Sequence, residues 1–133
     1  MKDYSTMKTF FASAERTSDS EIKEKAEYIK TAPHITQILD TLPDIVAVLD
    51  INRQIIFANR HLLAMLGLTN QDKILGLRPG EALTCVNAID NEGCLLCGTT
   101  EGCSQCGAVE AIINATNEHD TIKECRIINK YGN

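Results

Sequence analysis

The sequence predicts an α+β domain in which an antiparallel sheet is flanked by short helices and preceded by a helical extension. Three observations carry that prediction. Two short β-branched runs, residues 44–50 and 54–58, are separated by the turn-forming Asp50-Ile-Asn-Arg53 and read as a hairpin. Apolar residues at helical spacing stand on both sides of it. The 133 residues, 44% hydrophobic and 23% charged, supply one core and no second one.

Residues 1–17 carry no strong periodicity and fit a frayed terminus or a helix. From Ser18 the pattern is helical. Ser18 or Ser20 can cap it, acids fill its first turn, and Ile22, Ala26 and Ile29 make one narrow apolar stripe of the kind that packs on a neighbouring chain or lies along a surface. Pro33 interrupts, and Ile35, Ile38, Leu39 and Leu42 predict a second helix ending near Pro43. The hairpin follows. Asn59 then reads as the N-cap of a short helix that turns Leu62, Leu63 and Leu66 inward and stops at Gly67. Residues 70–75 predict another short helix, and Pro79-Gly80 a turn leading into helical geometry. The cysteine region, 85–106, is predicted as loop with short helical pieces. Residues 108–115 predict a helix with Val109, Ile112 and Ile113 inside, and residues 120–129 a third strand.

Charge and hydropathy exclude several functions. Residues 1–33 balance six acids against six bases, so the net charge of −5 belongs to residues 34–133, with twelve acids against seven bases. An acidic body without a basic stripe argues against nucleic-acid binding and against docking on anionic membranes. No apolar run reaches the length of a membrane span, and Phe10-Phe11-Ala12 is too short for a signal-peptide core. The expected compartment is the cytoplasm, where thiols are kept reduced.

The densest chemical signal is Cys85-x8-Cys94-x2-Cys97-x5-Cys103-x2-Cys106, five of the six cysteines within one loop. Cysteines that only pack are scattered and buried; crowding beside glycine and polar residues points to metal binding or thiol redox chemistry. Four thiolates hold Zn²⁺ tetrahedrally or an iron–sulfur cluster, and two residues between ligands let a tight turn aim both sulfurs at one metal. By spacing, Cys94, Cys97, Cys103 and Cys106 form one legal set. The five residues between its pairs are short for a zinc ribbon and suit a compact loop around a cluster, without excluding zinc. A third option is a Cys103–Cys106 dithiol, favoured by the helix beginning after Gly107 and opposed by Glu101; a fourth is thiols that merely pack. Cys125, on the predicted third strand, reads as a buried structural thiol. Glu81, Glu92 and Glu101 read as a solvated loop face, His61 as a solvent-facing or hydrogen-bond-satisfied histidine, and His119 is only a weak candidate for a haem axial ligand. No G-x-S-x-G, H-E-x-x-H or phosphate-binding glycine loop is present, so no enzymatic activity is expected.

The order of elements, with Ile38-Leu-Asp-Thr-Leu-Pro-Asp-Ile-Val-Ala-Val-Leu-Asp50 and Gln54-Ile-Ile-Phe-Ala-Asn-Arg60, resembles the opening of a PAS sensor domain over roughly residues 34–133. Arg78-Pro-Gly-Glu-Ala-Leu83-x-Cys85 with Cys97-Gly-Thr-Thr-Glu101-x-Cys103-x-x-Cys106-Gly-Ala108 resembles a cysteine-rich PAS variant of bacterial signalling proteins associated with histidine kinases. The resemblance implies a PAS-like sheet after a 1–33 extension and Cys85, Cys97, Cys103 and Cys106 as ligands, with Cys94 as the alternate. It implies a sensory module responding to redox state or a small ligand through an Fe–S cluster, Zn²⁺ or a thiol switch. Its expected partners are a second copy, through the N-terminal helices or an open sheet edge, and an effector such as a histidine kinase. The family's last two strands are missing after Asn133, which predicts a truncated fragment or a sheet completed by another chain. Two alternatives stand beside this reading: a domain stapled by structural zinc for protein interaction, and a ligand pocket lined by Ile45, Val48, Ile56, Leu63 and Ile113.

Overall fold

The computed structural model describes residues 9, 11–32, 34–89 and 96–131. Contacts group these into two units, one contiguous from Thr17 to Leu77, the other formed by residues up to Arg16 together with Arg78 onward.

In the contiguous unit, α1 spans Asp19–Thr31, α2 Ile35–Thr41, β1 Ala47–Leu49, β2 Ile55–Ala58 and α3 Arg60–Met65. Helix α1 starts where a capping box closes: Ser18 Oγ accepts from Glu21 N–H at 3.4 Å, and the Glu21 carboxylate accepts from Ser18 N–H at 3.3 Å. Its stripe turns inward within its own unit, with Ile22 and Ala26 buried and the helix packed on β2. Strands β1 and β2 pair antiparallel, Ala47 with Ala58 and Leu49 with Ile55, with a bulge after Val48. All four β2 residues are buried, which fits an apolar run covered on both faces.

Two side chains fix this unit. Asp50 builds the hairpin turn: its Oδ1 accepts from Asn52 N–H and Gln54 N–H, each at 3.0 Å, while Arg53 turns at φ 66°. Its Oδ2 takes the Thr17 hydroxyl and lies 3.3 Å from Lys25 Nζ. Asn59, wholly buried, caps α3 by accepting from Leu62 N–H at 3.0 Å and also accepts from Val46 N–H at 3.0 Å. Its amide donates to Leu39 O at 3.1 Å and Asp44 O at 2.9 Å. One side chain thus joins the end of α2, the approach to β1 and the start of α3.

The second unit contains α4 (Pro79–Ala82), a 3₁₀ turn (Glu101–Gln105) and α5 (Gly107–Thr116). Ala12, Cys103 and Val109 form its apolar centre, flanked by Cys106 and Ile113. Residues 13–17 are neither helical nor frayed; Ala12 and Ala14 are buried and Ala12 N–H bonds Gly98 O at 2.9 Å.

Two sequence expectations are corrected here. Residues 70–75 form turns rather than a helix, because Asn70 and Gln71 side chains engage backbone N–H groups, those of Asp72 and Ala58, at 3.0 and 3.1 Å. Residues 120–129 do not form a strand of the sheet. They bear the β-branched composition of one, but their backbone finds only a bridge between Cys85 and Asn129. The α+β, antiparallel, helix-flanked architecture otherwise stands, with a two-stranded sheet among the described residues.

Candidate functional site

The cysteine site is assembled in the second unit, on α4. Pro79 occupies the first helical position, where a missing N–H costs nothing. Glu81, two residues on, folds back so that its Oε2 accepts from Arg78 N–H at 2.8 Å. The other carboxylate oxygen pairs with the Arg16 guanidinium and accepts from Cys97 N–H at 3.3 Å. The Arg78 guanidinium, 1% exposed, donates to Glu15 O at 2.6 Å, Ser13 O at 3.4 Å and Cys97 O at 3.2 Å. Both peptide groups of Cys97 are therefore gripped by buried charge. The same network ties the 13–16 segment to α4.

The sulfurs have their own donors. Gly80 N–H bonds the Cys97 thiol. A Cβ at Gly80 would stand 2.8 Å from Cys97 Sγ and 3.5 Å from Cys85 Cβ, so this glycine lies between the two cysteines. Gly98, at φ 86°, directs its N–H to Cys103 Sγ at 3.3 Å, and Thr100 Oγ1 lies 3.2 Å from the same sulfur. Cys103 sits in the 3₁₀ turn and Cys106 is the N-cap of α5. Burial, with the Glu81 carboxylate and Cys103 adding to it, pushes the Cys97 thiol up to about 11 from its ordinary 9.0, against the pull of Gly80 N–H and Arg78.

The structure therefore places Cys85, Cys97, Cys103 and Cys106 in one unit as free thiols. Cys94, the alternate ligand, and Glu92 lie outside the described residues. Among the described residues, no group of three or more Cys, His, Asp or Glu side chains stands arranged to hold a metal ion. Peptide N–H groups nonetheless reach two of these sulfurs, Gly80 on Cys97 and Gly98 on Cys103.

Two site residues differ from expectation. Glu81 is no solvated loop residue but 3% exposed, because the Arg16 guanidinium and the peptide N–H groups of Arg78 and Cys97 replace its water. Cys125 is exposed rather than buried, since its segment leaves the sheet and runs beside α5, where its sulfur lies 3.5 Å from Cys106 Sγ. The Arg78-Pro-Gly-Glu81 spacing, a carboxylate three residues after a helix start, is the signal that identifies Glu81 as a cap; nothing in the sequence pairs Cys125 with Cys106.

The other candidates disperse. Of the five proposed pocket residues, Ile45 is 54% exposed and Ile113 belongs to the other unit. Leu63 lines a groove of about 1000 Å³ beside α1 that is otherwise bordered largely by polar residues, among them Asp19, Lys23 and Gln71. His119 is exposed. Among the described residues no helix is long and apolar enough to cross a membrane.

Residues 34–100, just over half of the chain, match the family described as PAS domain, and no curated protein and no solved structure matches the chain.

Proposed function

The chain belongs to the PAS domain family, and from that premise we propose a cytoplasmic sensory module of the cysteine-rich kind. It reports redox state or a small ligand through a metal centre held by Cys85, Cys97, Cys103 and Cys106. The single observation that carries this reading is the pair of glycine amides directed at sulfur, Gly80 on Cys97 and Gly98 on Cys103. Thiols that serve only as apolar filler do not need peptide donors, whereas metal-bound thiolates are tuned by them. A bound cation displaces the thiol proton outright, which suits the raised, partly buried Cys97 thiol better than nucleophilic redox chemistry does. When bound, the metal supplies a fixed tetrahedral or cluster geometry that ties the loop to the 3₁₀ turn and α5.

The test is anaerobic purification of the full chain followed by metal analysis. Iron with acid-labile sulfide and a brown colour selects a cluster, and about one zinc per chain selects a structural or zinc-sensing site. Cys97→Ser and Cys103→Ser lower the content; a wild-type chain that retains no metal after anaerobic loading overturns the proposal.

The output is assigned to partners. Helix α2 buries none of its residues in its own unit and leaves Ile35 49%, Ile38 60% and Leu42 40% exposed. This face supports association with a second copy or with an effector such as a histidine kinase. Ile38→Asp abolishing concentration-dependent dimerisation in sedimentation supports it; a chain that is monomeric at high concentration removes the second copy from the scheme.

A further inference from the structure

We propose that Cys106 and Cys125 are a dithiol–disulfide couple, formed across the N-terminus of α5. Nothing in the loop spacing pairs them, since nineteen positions separate the two. The fold does so through three contacts. Cys106 is the N-cap of α5. Glu110, on the first turns of that helix, holds Lys123 at 2.9 Å. Between them, Glu124 passes so close to Gly107 that a Cβ there would fall 1.9 Å from the Glu124 carbonyl oxygen. Only glycine admits that approach. Cys125 follows directly, its sulfur takes the Ala108 N–H, and it comes to rest 3.5 Å from Cys106 Sγ.

That separation is van der Waals contact between two free sulfurs. Closing it to a bond needs a shift of about 1.5 Å, within the reach of side-chain rotation. Cys125 is exposed and Cys106 is partly buried against the apolar centre, so an outside reagent meets Cys125 first. The oxidant is a low-molecular-weight disulfide such as glutathione disulfide. The Cys125 thiolate attacks one of its sulfurs, giving a mixed disulfide and releasing one small thiolate. The Cys106 thiolate then attacks Cys125 Sγ, forming the Cys106–Cys125 bond and releasing the second. Two protein thiols lose two electrons and two protons, and the small disulfide becomes two thiols. A contacting thiol outcompetes a second small thiol unless the latter reaches at least about the millimolar range.

The couple is independent of any metal. Where the centre proposed above is present, forming the bond withdraws Cys106 from it, so oxidation and metal release become one event.

The experiment exposes the full chain, metal-free and reduced, to glutathione disulfide, blocks remaining thiols by alkylation, digests with trypsin and identifies crosslinked peptides by mass spectrometry. Cleavage after Lys123 and Arg126 isolates Cys125, the other five cysteines share the peptide 74–123, and fragment ions of the linked pair locate which of them is joined. The expected product joins Cys125 to Cys106, persists in Cys103→Ser and Cys85→Ser, and disappears in Cys106→Ser. Gly107→Ala keeps both thiols and lowers the yield about tenfold by moving Glu124 away. A crosslink from Cys125 to Cys85 or Cys103, or Cys125 stopping at the glutathione adduct in the wild type, overturns the couple. A metal-free chain that forms the crosslink leaves the couple standing whatever becomes of the metal centre; a metal-binding chain that never forms it, even after its metal is stripped, overturns the couple alone.

Discussion

Replacing Glu81 by Gln separates the two roles of that carboxylate, one structural and one electrostatic. The side chain is fully buried, with an arginine and a peptide N–H on one oxygen and a second N–H on the other. Gln keeps the volume and one acceptor. If that oxygen stays with Arg16 and Cys97, the new NH₂ faces Arg78 N–H, donor against donor. Removing one partner of a buried pair costs about 3–5 kcal/mol, and retention of one oxygen sets the expectation near 3 kcal/mol. With a urea slope of about 1–1.5 kcal/mol/M, the midpoint for the Cys97-bearing unit moves down by roughly 2–3 M. At the same time the Cys97 thiol loses a neighbouring negative charge that raises it. In metal-free Glu81→Gln its titration therefore moves down from about 11, yet stays above 9.0, because burial is the larger cause and remains. Urea unfolding followed by backbone exchange reads the first effect, and the pH dependence of Cys97 alkylation reads the second. A loss under about 1 kcal/mol, set against the buried-pair expectation, refutes the reasoning, as does a thiol that titrates higher or unchanged.

Four further outcomes follow from the same contacts. Asn59→Asp keeps both acceptor bonds but points an anion at Leu39 O and Asp44 O; the Thr17–Leu77 unit should lose about 2–4 kcal/mol in chemical denaturation at pH 7, and less in acid, where the introduced carboxyl regains a proton to donate. Gly80→Ala places a methyl 2.8 Å from the Cys97 sulfur and 3.2 Å from the buried Ala88 Cβ, so the affinity of the proposed centre, measured by chelator competition, should fall at least tenfold and the unfolding midpoint should fall with it. In Asp50, burial alone would raise the pKa, but the Thr17 hydroxyl, Gln54 N–H and Lys25 together hold it below 3.8; its stabilisation is complete above that value and lost as pH falls through the lower folded one, so an acid titration of Asp50→Asn should show a flatter stability curve. Cys97 has the opposite sign. Raised from 9.0 to about 11, it makes the metal-free protein lose stability as pH climbs through that window, a loss that Cys97→Ala should remove from alkaline melting curves.

The parts of the fold that were legible in the sequence are those built from near neighbours. Ser18 with Glu21, Asp50 with Gln54, and Asn59 with Leu62 each complete their geometry within four residues, so composition and spacing suffice to locate them. The illegible parts depend on distant partners. Residues 120–129 have strand composition, but whether a ladder forms depends on a neighbour the local sequence does not describe. Glu81 reads as exposed because its cation, Arg16, lies 65 residues away and one of its peptide donors, Cys97 N–H, 16 residues on. The crowding of the cysteines in one loop was legible from spacing alone; that Cys125 lies against Cys106 was not, because the contact is made by a backbone crossing at Gly107 and not by any motif.

The interrupted make-up of the second unit also sets an order of events during synthesis. Residues 17–77 form a contiguous body whose hairpin and helices can close as soon as that stretch has been made. The segment around Ala12 and Ala14 is made earlier still, yet its partners Gly98, Cys103 and Val109 come more than eighty residues later. Its placement waits on closing a loop of that length, which costs entropy that local contacts do not offset. Until then Cys85, Cys97 and Cys103 lack the walls that shield them, so the nascent chain exposes its thiols most at the moment just before Val109 arrives.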